Sequence, residues 1–153
     1  MTSKEKSRLT DEEYKFIFSR VVRLCLDFII VKENKILLAK REIDPQKGKW
    51  SLPGGMIRYN ETIDEAVKRI IKGELGLKLK EKKLVGYIES PGEINKDRVH
   101  VHSISMVFLT TIEKGKIIGS DQAHQIEFFA SLPKDIFSVQ GKVLKKHWEM
   151  LTK

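Results

Sequence analysis

The feature that most restricts this chain is a double glycine followed, at fixed distances, by charged residues and a helix. Pro53-Gly54-Gly55 is followed, after five intervening residues, by Glu61 and, after seven more, by Arg69, and the run closes on Glu74-Leu75-Gly76-Leu77. From Thr62 to Leu75 the apolar residues Ile63, Ala66, Val67, Ile70, Ile71 and Leu75 recur at helical spacing, which predicts one amphipathic helix. Thr62 and Glu65 have the spacing of a capping box, and Gly76 supplies a C-terminal stop. A backbone without side chains thus leads into a helix that carries carboxylates. Carbonyl oxygens and a carboxylate are hard ligands, suited to magnesium or manganese.

The rest of the chain reads as one domain, 1–153, of mixed α+β type. Leu9–Ser19 is a predicted helix with Thr10 as N-cap and Tyr14, Ile17 and Phe18 on one face. Leu24–Val31 and Ile36–Lys40 read as a hairpin across the polar turn 32–35, and Trp50–Leu52 as a short strand. Pro53-Gly54-Gly55 is expected to break regular structure, Leu84–Ser90 and Val99–Ile112 to be strands joined by a turn over Pro91–Asp97, and Glu127–Ala130 a weaker strand. The C-terminal segment from Lys134 reads as helical, interrupted near Gly141. Strands and helices do not alternate as in a doubly wound sheet, so a mixed sheet flanked by helices is the expected architecture.

The longest apolar runs are too short to cross a bilayer, and the opening Met-Thr-Ser-Lys-Glu-Lys has no apolar signal core, so a cytoplasmic protein without a membrane partner is expected. Cys25, the single cysteine, has no disulfide partner and reads as a small buried hydrophobe. The net charge of +8 favours an anionic partner. A nucleic acid and a small phosphorylated substrate both qualify; the lysines, dispersed without interleaved aromatics, read as solvated surface, and no nucleic-acid partner is expected. His100 and His102 alternate on one strand but have no third ligand near them in sequence, and read as a solvated or groove-lining face.

The segment 55–77 resembles the box of the Nudix hydrolases, a family in which this loop and helix bind a divalent metal and a diphosphate. The family's usual run Arg-Glu-apolar-any-Glu-Glu stands here as Arg69-Ile70-Ile71-Lys72-Gly73-Glu74, so two of its carboxylates are absent and Glu74 remains. The same loss marks the GDP-mannose mannosyl hydrolase branch. The chain is also similar to that branch in Leu26-Asp27-Phe28-Ile29, in Leu37–Arg41, in Gly48-Lys49-Trp50 and in Glu74–Leu77. It departs from the branch at Met56, Ala123 and Ser103, where an arginine, a glutamine and a tyrosine are usual, with Arg58 and Gln122 as nearby substitutes.

The resemblance implies a Nudix fold and hydrolysis of a nucleoside diphosphate sugar at the anomeric carbon, with magnesium or manganese as cofactor and release of nucleoside diphosphate and sugar. It makes His124 the general base, Asp27 the sugar contact, Arg41 the phosphate contact, Arg58 a further substrate contact, and Glu74, the Gly54 carbonyl and Gln122 the metal ligands. Arg69 would orient Glu61 or approach the substrate. A homodimer with N-terminal segments crossing between subunits is implied as well. Two other functions fit the residues: a Nudix pyrophosphohydrolase attacking phosphorus, and a Nudix-fold nucleotide-binding module without catalysis.

Overall fold

The computed structural model describes residues 8–43, 46–95, 98–118 and 125–151. Helix α1 spans Asp11–Phe18, α2 Ile63–Leu75 and α3 Ser138–Leu151. The strands are β1 Arg23–Lys32, β2 Lys35–Lys40, β3 Trp50–Ser51, β4 Gly54–Met56, β5 Leu77–Leu79, β6 Lys83–Ile94, β7 His100–Thr110, β8 Ile112–Gly115 and β9 Ile126–Phe129. The mixed α+β architecture read from the sequence is what the chain adopts.

Strand β1 organises the molecule. One of its edges runs parallel to β7, from Arg23 opposite Ser103 to Ile30 opposite Thr110. Its other edge is shared: Cys25, Leu26 and Asp27 pair with β4, whereas Val31 and Lys32 pair with β2 at the hairpin turn. The sheet continues from β7 to β6 on one side, and from β2 to β3 and β9 on the other; β5 and β8 form a separate pair.

Alternation on β1 sends its residues to two cores. Leu26, Phe28 and Ile30 pack with Ala66, Ile70, Ile71 and Leu75 of α2. The predicted stripe of that helix is therefore the stripe it buries, with Ile63 and Val67 at its margin. The capping box of Thr62 and Glu65 forms at its start, and Gly76 closes it in the left-handed region at φ 67. On the opposite face, Ile29 packs with Val107, Ile88, Leu144 and Trp148, so α3 covers this half of the sheet. Arg23, Cys25 and Asp27 lie further along the same face and border a cleft instead.

Three readings of the sequence are corrected. Gly54 and Gly55 do not break regular structure but form β4. A Cβ on Gly54 would collide with Asp27 Oδ1 and the Leu26 carbonyl, so glycine is what allows this strand to lie against β1. Strand β6 continues through Pro91 and Gly92 to Ile94, because a bulge absorbs the glycine where a turn was expected. Helix α3 passes through Gly141 without interruption; a Cβ there would come within 3.2 Å of Ile136 Cγ2, so the glycine serves close packing.

Candidate active site

The cleft, about 410 Å³ in volume, opens where α3 stops covering the sheet. Its floor is the odd-numbered face of β1, with Ser103 and Ser105 of β7 beside it in register with Arg23 and Cys25. Gly54–Met56 and Glu74 form one wall, Arg41 and Ile43 follow β2 into the rim, and Phe137, Val139 and Gln140 close the side toward α3. Asp11 and Tyr14 of α1 reach the far end.

Glu74 projects from the last turn of α2 to the first residue of β4, where Oε2 accepts a hydrogen bond from the Gly54 N–H at 3.1 Å. Burial pushes its carboxyl up to about 7, and the nearby Asp27 adds to the rise, while the Gly54 bond and Arg41 oppose it. Asp27, only 9% exposed, is pushed up to about 6 by burial, against the pull of a Ser105 hydrogen bond and of Arg41. Arg41 is drawn down by burial and held up by Asp27, Glu74 and Glu93. A buried and a half-buried carboxylate and one guanidinium therefore share a small volume that water only partly reaches. Such a site favours a cation beside Glu74, because a divalent ion offsets the cost of keeping both acids ionised.

The residues present fit a divalent cation. Glu74 offers a carboxylate oxygen, and Gly54, bonded to it through its N–H, contributes a main-chain carbonyl oxygen from the same residue of β4. Among the described residues no three His, Cys, Asp or Glu side chains gather closely enough to hold an ion, so a cation at this place relies on Glu74 with main-chain and substrate oxygens. Neither of the two missing box carboxylates has left a polar substitute. Ile70 is 4% exposed and packs over Gly55, while Gly73 sits in open space.

The loop between β4 and α2 is held by Arg69. Its Nε and Nη2 donate to the two oxygens of Glu61 at 2.6 and 2.8 Å, and Nη2 also donates to the Met56 carbonyl at 2.8 Å. Glu61 Oε2 accepts in addition from the Arg58 N–H at 2.9 Å, and the Arg69 bond holds the Glu61 carboxyl below its usual range. A bidentate pair of this kind, with the Glu61 side chain 3% exposed, fixes the loop that follows β4 and, through the Met56 carbonyl, the end of that strand.

Of the residues singled out in the sequence, Asp27, Arg41, Gly54 and Glu74 meet in the cleft. Arg69 and Arg58 do not line it: the first is engaged with Glu61, and the second follows β4 on the loop, half-buried. Gln122 and His124 lie outside the described residues, as do Asp121 and Ala123. Cys25 is half-buried and borders the cleft instead of filling a core.

Sequence reading missed a polar group at the far end of the cleft. Arg23 donates to Ser103 Oγ from Nε at 2.9 Å and from Nη2 at 2.6 Å, and its Nη1 donates to the Tyr14 hydroxyl. This links α1 to β1 and β7. The only hint in the sequence was the charge at the start of an apolar strand. Gln140, 5% exposed, accepts from the Leu52 N–H at 2.7 Å and so ties α3 to the residues just before Pro53.

A family model described as the NUDIX domain matches residues 22–151. An ADP-ribose pyrophosphatase of Methanocaldococcus jannaschii is 41% identical over 126 residues, covering 81% of this chain and 72% of that protein. The low-salt glycan biosynthesis protein Agl8 of Haloferax volcanii is 36% identical over 74 residues, 48% of this chain and 47% of its own length. Among solved structures, a NUDIX hydrolase from Nitrosomonas europaea superposes with a TM-score of 0.70 at 27% identity, over 83% of this chain and 70% of that one.

Proposed function

The chain belongs to the NUDIX domain family, and from that premise we propose that it hydrolyses a nucleoside diphosphate sugar at the anomeric carbon, with magnesium or manganese, releasing nucleoside diphosphate and free sugar. The observation that carries this reading is the reduction of the box's acidic cluster to Glu74, with Ile70 committed to the core and Gly73 bare. A site built to direct water at phosphorus with several cations needs more carboxylates than this. A single divalent cation, when bound, would supply charge neutralisation that makes the diphosphate a better leaving group, so that little general acid is required.

The chain's own groups then divide the work. Glu74 and the Gly54 carbonyl would hold the cation, with Gln122 as a further ligand, and Arg41 binds phosphate at the rim. Asp27, whose carboxyl titrates at about 6, exchanges hydrogen bonds with the sugar. His124 removes the proton from the attacking water. Arg69, through Glu61, positions the loop that carries Arg58, which stands outside the cleft lining. The glycan-synthesis description of Agl8 supports a glycosyl-bearing substrate.

A second reading, attack at phosphorus, is favoured by the 41% identity to an ADP-ribose pyrophosphatase. Both readings take a nucleoside diphosphate joined to a sugar. Turnover of GDP-mannose and ADP-ribose in oxygen-18 water with magnesium or manganese separates them. With GDP-mannose, whose sugar is joined through its anomeric carbon, label in the free sugar with unlabelled GDP supports the first; label in a phosphate product, from GDP-mannose or from ADP-ribose, whose terminal ribose is joined through O5, supports the second. Tight binding of the panel without turnover leaves a nucleotide-binding module.

A homodimer is part of the proposal. Helix α1 buries none of its residues, and Phe16, Val21, Val22 and Leu24 are 65, 50, 46 and 40% exposed in and just after it. A second copy would cover these side chains. Among the described residues no helix is long and apolar enough to cross a membrane.

A further inference from the structure

The bulge in β6 places a carboxylate that sequence reading passed over. Ser90 pairs with Ser103 and Glu93 with Val101, so three steps along β6 match two along β7. Gly92, at φ 70 and with open space where a Cβ would stand, takes up the extra residue in a conformation that side chains disfavour. The insertion inverts the alternation of the strand. Before it the even residues Ile88 and Ser90 face the cleft; beyond it the odd residues Glu93 and Asn95 do. Asn95 fixes the turn that follows, its side chain accepting from the Val99 N–H at 3.0 Å.

Glu93 is half-buried and acts on Arg41 together with Asp27 and Glu74. It is not a third ligand for the cation, since no such trio gathers among the described residues. A carboxylate only accepts hydrogen bonds when ionised and repels phosphate, so the parts of a nucleoside diphosphate sugar that it can hold are the neutral ones with hydroxyl donors, the nucleoside ribose and the glycosyl group; its place in the cleft with Asp27, the proposed sugar contact, points to the glycosyl group. Resting on the function proposed above, we infer that Glu93 is a specificity-determining residue whose carboxylate accepts hydrogen bonds from the hydroxyls of the glycosyl group.

The test uses the full chain with magnesium, in the wild type, Glu93→Gln and Glu93→Asp. The inhibition constants of ADP and GDP are measured beside the KM and kcat of ADP-ribose and GDP-mannose. Loss of one hydrogen bond to a charged group predicts a KM for the favoured nucleotide sugar raised on the order of tenfold by Glu93→Gln. The affinity for free ADP and GDP, which lack the glycosyl group, stays unchanged. Equal weakening of nucleoside diphosphate and nucleotide sugar, an unchanged KM, or a loss confined to kcat overturns the role of Glu93 and leaves the functional reading intact. A wild type that neither binds nor turns over any nucleotide sugar overturns both.

Discussion

Replacing Glu74 by glutamine separates the cost of its charge from its hydrogen bond. The amide oxygen of glutamine can still accept from the Gly54 N–H, but it never ionises. In the folded protein the Glu74 carboxyl is raised from 4.5 to about 7, which corresponds to about 3 kcal/mol of preference for the protonated form. Because the folded value is the higher one, this stabilisation is complete below the ordinary carboxylate range and disappears as pH climbs through about 7. Asp27 shifts in the same direction, to about 6, and its charge is part of what raises Glu74. Urea unfolding in the presence of a chelator should then show Glu74→Gln and wild type equally stable near pH 4, and the variant ahead by about 3 kcal/mol at pH 8. Saturating divalent cation should restore the wild type at pH 8 and do little for the variant. A gap that is the same at both pH values, or a variant less stable than wild type at pH 8 without metal, would refute the claim that a buried, cation-seeking charge sits here.

Other substitutions probe separate parts of the account. Gly54→Ala drives a methyl group into Asp27 Oδ1 and the Leu26 carbonyl, and should cost about 2 kcal/mol or more by urea unfolding together with most of the activity. Gly73→Ala meets nothing within 4 Å and should raise stability by about 1 kcal/mol with kcat unchanged. Glu61→Gln removes the ionic half of a pair whose arginine is 27% exposed, and should destabilise by about 1–3 kcal/mol and weaken metal binding through the loop that Arg69 then holds less firmly. His124→Gln should slow turnover severely with little change in metal affinity, and an unchanged rate would remove it as the base. Phe16→Asp should convert a dimer to monomers in light scattering; a wild type that is already monomeric would dispose of the dimer.

Local signals carried much of the fold. Helix α2 was legible because its stripe, its capping box and its stop residue lie within fifteen or so positions and agree with one another. Asp27 was legible for the opposite reason: a carboxylate in an apolar strand is costly unless it meets a polar site, and it borders the cleft. Glycine was the recurrent source of error. Read locally, Gly54, Gly92 and Gly141 look like breaks; in the fold they permit a close strand pair, a bulge and a tight helix contact. Those uses depend on neighbours distant in sequence. The same holds for Arg23 and Glu93, whose direction is set by strand register, and in the case of Glu93 by one inserted residue. The structural consequence of losing two box acids could not be read from the motif either, since only packing shows Ile70 within the core and Gly73 open to solvent.

The central claim is that one divalent cation is held at Glu74 and the Gly54 backbone against a diphosphate. Titration of manganese followed by electron paramagnetic resonance, with and without GDP, tests it directly. The account predicts one ion per chain, bound more tightly with GDP present and lost in Glu74→Gln. Two or more ions per chain, or binding that survives that substitution, would contradict it.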